Sequence, residues 1–191
     1  MFNINGSAIH TVIFDFDGTL AKLNIDFQIM RNAVMELIMA HEITEDNLHT
    51  RFVLERIDEA FEILNGRSKQ TAENFLNKAN FIIETMETDA AARGALFDFT
   101  KPLLQTLRIS NISCGIITRN CAKAVTTVFP DISSFCPVLI CRDDVNNVKP
   151  HPEHISLALS KLGCLAEHTL MIGDHPIDIE TGRNAGTKTC G

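Results

Sequence analysis

The feature that most constrains the fold is a set of short apolar runs, each stopping abruptly at a polar loop. Val12-Ile13-Phe14 ends at Asp15, Cys114-Gly115-Ile116-Ile117 at Thr118, Val138-Leu139-Ile140 ahead of the loop that carries Lys149, and Leu170-Met171-Ile172 at Gly173-Asp174. Runs this short, with no polar residue in alternation, predict strands buried on both faces. Helix signals stand between them. Pro102 precedes Leu103, Leu104 and Leu107; Ala122 to Phe129 is closed by Pro130; Pro152 to Leu162 by Gly163; and Ile179 to Ala185 by Gly186. Thr187 to Cys190 begins one more strand.

Strand and helix alternating through short loops predict an α/β fold: a Rossmann-like parallel sheet with helices on both faces. The stretch between the first strand and the rest has another texture. Asp26 predicts a cap for a helix carrying Ile29, Ala33, Leu37 and Met39. Thr44 or Glu45 opens a second, through Leu48, Phe52, Leu54, Ile57, Phe61 and Leu64, which Asn65-Gly66 breaks. A third runs from Ser68 through Phe75, Ala79, Ile82 and Ile83 toward Met86. The expected organisation is thus an α/β core of residues 1–21 and 96–191, interrupted by an all-helical cap subdomain over 22–95.

At 191 residues a chain buries roughly 70% of its unfolded surface, so it needs no disulfide or metal staple. A net charge of −7 and the absence of any dense Lys/Arg block argue against nucleic acid and anionic membrane as partners. With neither Trp nor Tyr, a base-stacking surface would rest on Phe and His alone. The six cysteines form no C-x-x-C pair and read as small apolar thiols of a reduced compartment. The first seven residues lack the layout of a secretion leader, and no apolar run nears the ~18 residues of a membrane span. The expected location is the cytoplasm, as a monomer or small homo-oligomer.

In open α/β sheets, ligands sit outside the carboxyl ends of the strands. Asp15, Asp17, Thr118, Lys149, Asp174 and Asp178 all fall there, so they are expected to share one cleft. Clustered carboxylates need a hard divalent cation to coexist, and Mg²⁺ suits oxygen ligands. One lysine and one small hydroxyl supply the charge and hydrogen bonds that a phosphate requires. Gly18 and the amides beside it can turn toward an anion.

Asp15-Phe16-Asp17-Gly18-Thr19, Ile116-Ile117-Thr118, Lys149-Pro150-His151-Pro152 and Gly173-Asp174-His175-Pro176-Ile177-Asp178 are, in order, similar to the four motifs of the haloacid dehalogenase-like hydrolases. Within them the chain resembles the phosphoglycolate phosphatase-like branch, with a helical cap inserted after the first motif. The resemblance implies a Mg²⁺-dependent phosphatase acting on a small phosphorylated metabolite, a phosphoglycolate-like phosphomonoester. It implies that Asp15 is the nucleophile that forms an aspartyl-phosphate and that Asp17 is the general acid and base. Mg²⁺ is implied on Asp15, the Asp17 backbone and Asp174, with Asp178 supporting its waters or Lys149. Thr118 and Lys149 would hold the phosphoryl oxygens, with Gly18, Thr19, Arg119 and Asn120 as further substrate contacts. The helices of the insertion would close over the substrate.

Three features depart from the branch. Shortly after Asp17-Gly18-Thr19-Leu20, where another acidic or hydroxyl residue is common, stands Ala21-Lys22-Leu23-Asn24-Ile25-Asp26, which bears on the hinge and the first cap contact. Arg119 follows Thr118 where Asn is usual, and is expected either to reach a substrate carboxylate or phosphate or to form a surface salt bridge. His175 replaces a small hydroxyl residue, and either tunes the metal site or contributes only its backbone. The alternatives to a phosphatase are a phosphomutase on the same scaffold and a non-catalytic binding module. Carbon–halogen hydrolysis is disfavoured, because it has no alkoxide for Asp17 to protonate.

Overall fold

The computed structural model describes residues 2–4 and 7–191, and the apolar runs are its central strands. In chain order the elements are β1 (Phe2–Ile4), β2 (Ser7–Ile9), β3 (Thr11–Phe14), β4 (Ala21–Lys22), α1 (Phe27–Met39), α2 (Val53–Asn65) and α3 (Lys69–Ala91). There follow β5 (Ala95–Leu96), α4 (Thr100–Ile109), β6 (Ser113–Ile117), α5 (Ala122–Val128), β7 (Val138–Ile140), α6 (Glu153–Leu162), β8 (Thr169–Ile172), α7 (Pro176–Asn184) and β9 (Lys188–Cys190). They make two compact units, Met1–Asn24 with Ala90–Gly191, and Ile25–Asp89.

In the first unit five parallel strands stand in the order β7-β6-β3-β8-β9. All four residues of β3 are buried, as its central place demands. From β3 the chain builds outward to β6 and β7, then crosses to β8 and β9 on the other side. That reversal makes the carboxyl end of β3 a switch point, where open sheets leave a crevice. The strand period of two sorts the core. Ile13, Ile117, Val138, Ile140 and Met171 pack against Ile155, Ala158 and Leu159 of α6. The alternate residues Val12, Phe14 and Ile116, equally buried, face the opposite side. Helices α4, α6 and α7 lie against β6, β7, β8 and β9, so the sheet is covered on both faces.

Two ladders had no sequence signal. The hairpin β1–β2 is three residues a strand, and β4 pairs antiparallel with β5 through Ala21↔Leu96 and Lys22↔Ala95. Strands of two or three residues are too short to show a period. The second ladder fastens the outgoing chain to the returning one within this unit. Helix α7 also begins at Pro176, three residues earlier than Ile179, because Pro at its first position and His175 as its cap start it there.

In the second unit Asp26 caps α1, its Oδ1 accepting from the amides of Gln28 and Ile29 at 3.0 Å each. The buried face is Met30, Val34 and Ile38, one residue round from the expected Ile29-Ala33-Leu37 row. Ile29 and Met39 are exposed. Both rows follow the i, i+4 spacing, and packing on Ile57, Ala60 and Leu64 of α2 and on Ala72, Phe75, Ala79 and Ile83 of α3 decides between them. Thr44 does not open the second helix. It closes a single turn with Asn47, whose side chain accepts from the Thr44 amide at 3.0 Å. The chain then runs extended, held by Arg56 Nε donating to the Thr50 carbonyl at 2.8 Å, until α2 starts at Val53. Helix α3 continues past Met86 to Ala91.

None of the six cysteines is in a disulfide. No helix among the described residues is long and apolar enough to cross a membrane.

Phe75 is fully buried at the centre of the helical cluster. Phe75→Ala is expected to destabilise the protein by about 3–5 kcal/mol through the cavity it leaves. Urea denaturation followed by circular dichroism measures that loss against the wild type.

Candidate active site

The site is built on the ends of three adjacent strands. Asp15 follows β3 directly, and its amide extends the ladder to the Ile172 carbonyl of β8 at 2.8 Å. Phe16, fully buried, anchors the loop behind it. Gly18 then turns the chain with φ +88°, and its amide donates to the Ala21 carbonyl at 2.7 Å. No side chain fits here: a Cβ on Gly18 would lie 2.2 Å from Asp174 Oδ2. Gly18 is therefore required both by its backbone angle and by the close approach of Asp174. The Thr19 hydroxyl donates to Asp174 Oδ1 at 3.4 Å, a long and weak bond.

A second close approach stands at the end of β8. A Cβ on Gly173 would fall 2.4 Å from the side chain of Asp178. The missing side chain lets the first turn of α7 sit against the strand end. That turn is fixed by a reciprocal cap. His175 Nδ1 accepts from the Ile177 amide at 3.1 Å, and Asp178 Oδ2 accepts from the His175 amide at 3.2 Å. The His175 ring is thus an acceptor at Nδ1 and a helix cap, a task for its side chain as well as its backbone.

Lys149 joins the two ends. It is 2% exposed, and its Nζ donates to Asp15 Oδ1 at 2.5 Å and to Asp178 Oδ1 at 2.6 Å. Burial alone would lower the lysine, but the charges of Asp15 and Asp178 outweigh it and raise its pKa. It is an ammonium at neutral pH. Burial pushes the Asp15 carboxyl up to about 6, with Lys149 opposing and Asp178 reinforcing the rise.

Asp17 is half-buried and points elsewhere. Its Oδ1 accepts from the Leu23 amide at 2.9 Å. Burial raises its pKa, the Leu23 amide opposes, and the nearby charge of Asp174 adds to the rise. Both effects favour the protonated acid. The carboxylate oxygens of Asp15, Asp174 and Asp178 lie within 4.8 Å of one another, a set of hard donors that fits a divalent cation. The Asp17 side chain, committed to its own loop, is not in that group.

Thr118 follows β6, 1% exposed, with its amide on the Ile140 carbonyl at 3.0 Å and its Oγ1 accepting from the Asn120 amide at 3.1 Å. Asn120 is likewise buried. Arg119 is turned toward the lysine loop, where its Nη1 donates to the Lys149 carbonyl. The sequence singled out neither Arg142, which donates to the Arg119 carbonyl at 3.2 Å, nor Asn184, which donates to the Pro150 carbonyl at 3.0 Å. It passed over His154 as well, whose ring is wholly buried and held down to about 4 by burial and by the charges of Lys149 and Arg119. Single polar residues on loops and helix flanks carry no spacing signal.

Comparison with known proteins finds relatives along nearly the whole chain. Residues 12–191 match the family described as haloacid dehalogenase-like hydrolase. A pyrophosphatase PpaX of Oceanobacillus iheyensis is 33% identical over 190 residues, spanning 95% of this chain and 82% of the relative. An N-acetylmuramic acid 6-phosphate phosphatase of Pseudomonas putida is 29% identical, spanning 95% and 81%. Among solved structures, a haloacid dehalogenase-like hydrolase from Bacteroides fragilis superposes with a TM-score of 0.67 at 26% identity, covering 96% of this chain and 87% of the other.

Removing the buried cation tests the electrostatics. Lys149→Met leaves Asp15 and Asp178 facing each other uncompensated, and is expected to cost about 3–5 kcal/mol at pH 7.5. Without Lys149, whose charge lowers the Asp15 pKa, the carboxyl takes up its proton at a higher pH than in the wild type, so the penalty shrinks as the pH falls. The difference in melting temperature between variant and wild type should therefore be larger at pH 7.5 than at pH 5. An equal difference at both would place the stabilisation outside the ion pairs.

Proposed function

We propose that this chain, which belongs to the haloacid dehalogenase-like hydrolase family, is a Mg²⁺-dependent phosphatase of small phosphorylated metabolites. The observation that carries the reading is the buried Lys149 ammonium held between Asp15 and Asp178, with Asp174 in the same carboxylate group. Such a site combines a nucleophile, a fixed positive charge and oxygen ligands for a cation. In support of a phosphate substrate, two curated relatives across nearly the whole chain are named a pyrophosphatase and a sugar-phosphate phosphatase. Residues 1–21 and 96–191 would form the catalytic core and the helical insertion its cap. Six cysteines outside any disulfide and a net charge of −7 suit a cytoplasmic enzyme.

In this reading Asp15 attacks phosphorus through a carboxylate oxygen. The bond to the leaving oxygen breaks, and Asp17 gives that alkoxide its proton, leaving an aspartyl-phosphate. Asp17, now ionised, takes a proton from water as the water attacks the phosphorus, releasing phosphate and restoring both carboxyls. Burial and the charge of Asp174 raise the Asp17 pKa, the direction that a proton donor needs. Asp15 is suited to be ionised at neutral pH because its pKa, although raised, stays near 6. Thr118 and Lys149 supply a hydroxyl and an ammonium for the phosphoryl oxygens. Asp15 and Asp174 would hold Mg²⁺, with Asp178 beside them, and the ion when bound supplies positive charge to offset that of the phosphoryl group.

The test is release of inorganic phosphate from a panel of phosphorylated metabolites, with 2-phosphoglycolate and inorganic pyrophosphate included, in Mg²⁺ and in EDTA. Activity is expected in Mg²⁺ only, and lost in Asp15→Asn, which removes the nucleophile at constant volume. A folded Asp15→Asn protein that keeps more than a few per cent of wild-type turnover would sink the reading.

Asp17→Asn separates the two steps. General acid assistance is worth ~10²–10⁴-fold, and an aliphatic alkoxide needs it whereas nitrophenolate leaves unaided. The burst rate is expected to fall far more for an alkyl phosphate than for p-nitrophenyl phosphate. Equal losses would assign the proton to another group.

A further inference from the structure

Of the groups around the candidate site, Lys149 is set on an irregular loop several residues from the nearest strand or α-helix. Asp15, Thr118 and Asp174 each follow a strand of the sheet within two residues, and Asp178 is inside α7. The segment from Val145 to Pro152 is neither strand nor helix, yet it must aim an ammonium at two carboxylates. A charged group on a loop holds its aim only if neighbouring side chains fix the backbone. Three sets of contacts do so. Glu153 accepts from the amides of Asn146 and Asn147 at 3.0 Å each. Asn184 of α7 donates to the Pro150 carbonyl at 3.0 Å. At the lysine itself, Arg119 Nη1 donates to the Lys149 carbonyl.

Arg119 is in turn anchored. Arg142 Nη1 donates to the Arg119 carbonyl at 3.2 Å, and the Arg142 amide donates to the Asn120 carbonyl at 3.2 Å. The Asn120 amide bonds the Thr118 hydroxyl. Thr118 and Lys149 are thus connected through one chain of contacts that runs from β6 to the lysine loop.

We propose that Arg119, seated by Arg142, is a positioning residue that clamps the Lys149 backbone and so sets the ammonium between Asp15 and Asp178. This replaces a substrate contact as the task of Arg119. Guanidinium is the apt group for it, since its charge strengthens a bond to a neutral carbonyl and its planar fork loses little freedom on bonding. The clamp is a claim about where Lys149 sits; only its consequence for turnover rests on the phosphatase reading.

The experiment reads both separately. Wild type, Arg119→Ala and Arg142→Ala are labelled briefly with an amine-acylating reagent, and each lysine is quantified by mass spectrometry. In the wild type Lys149 is expected to be protected. In Arg119→Ala it should label roughly tenfold faster or more, the opening ratio set by losing one charge-assisted hydrogen bond, while the remaining lysines keep their wild-type rates. Arg142→Ala should shift Lys149 in the same direction by less, and it carries the test should Arg119→Ala not fold. Uniform acceleration at every lysine would mean that the arginines serve only global stability, and an unchanged Lys149 in either folded variant would overturn the clamp.

Kinetics on the same proteins complete the test. With a displaced ammonium, kcat/KM should fall ~10–100-fold for p-nitrophenyl phosphate and for a carboxylated phosphomonoester alike, and inorganic phosphate should inhibit less tightly. A rise in KM confined to the carboxylated ester, with phosphate inhibition unchanged, would return Arg119 to a substrate contact and overturn the proposal. Absence of turnover in the wild type would refute the phosphatase reading and leave the labelling result to decide the clamp.

Discussion

The buried ammonium of Lys149 is the interaction on which the rest of the site depends. Two carboxylates at the end of a sheet, both under a tenth exposed, could not stay ionised together without it. By binding one oxygen each of Asp15 and Asp178 it ties the end of β3 to the first turn of α7. Gly173 follows from this requirement, whereas Gly18 answers to Asp174, which is exposed and accepts from Thr19. Gly173 has no Cβ because Asp178 occupies its space, and Gly18 has none because Asp174 does. At Gly173 a charge that must be buried thus dictates where the chain gives up a side chain.

The same cation sets two neighbouring acids apart. Asp15 and Asp17 are two residues apart in sequence and are both raised by burial. Only Asp15 has an ammonium on its oxygen; Asp17 has the Leu23 amide and the negative charge of Asp174 nearby. Pairs of acids in environments that differ in this way divide the duties of base and acid. The separation needs no difference in residue type. It comes from the direction in which the loop sends each carboxylate, Asp15 to Lys149 and Asp17 to the Leu23 amide.

The sheet and its carboxyl edge were legible because they rest on signals that sequence carries well. An apolar run broken by Asp-x-Asp-Gly or Gly-Asp reports a strand, its end and its polar cargo together. The helical insertion was legible as helices but not as faces. In α1 the rows 29-33-37 and 30-34-38 are both largely apolar, and the choice between them belongs to α2 and α3 rather than to α1. The two-residue ladder of β4 with β5 has no local cause at all; it forms because the chain must leave and re-enter one unit at adjacent points. Thr44 misled for a related reason. Its capping box with Asn47 is real, yet a cap closes any single turn and does not by itself carry a helix forward.

Arg119 shows where residue-by-residue inference from motifs stops. Its place directly after Thr118 suggests a substrate contact, and its guanidinium also meets a backbone carbonyl thirty residues away in sequence. A carbonyl is invisible to any reading of side-chain chemistry. The lysine loop is where such hidden partners concentrate, because regular ladders satisfy their own backbone groups and irregular segments must borrow donors from elsewhere. Arg119, Asn184 and the carboxylate of Glu153 are those borrowed partners. The carboxyl edge of this sheet therefore has two kinds of parts. Residues that follow strands inherit their positions from the sheet, and the one cation that holds them together takes its position from side chains chosen for the purpose.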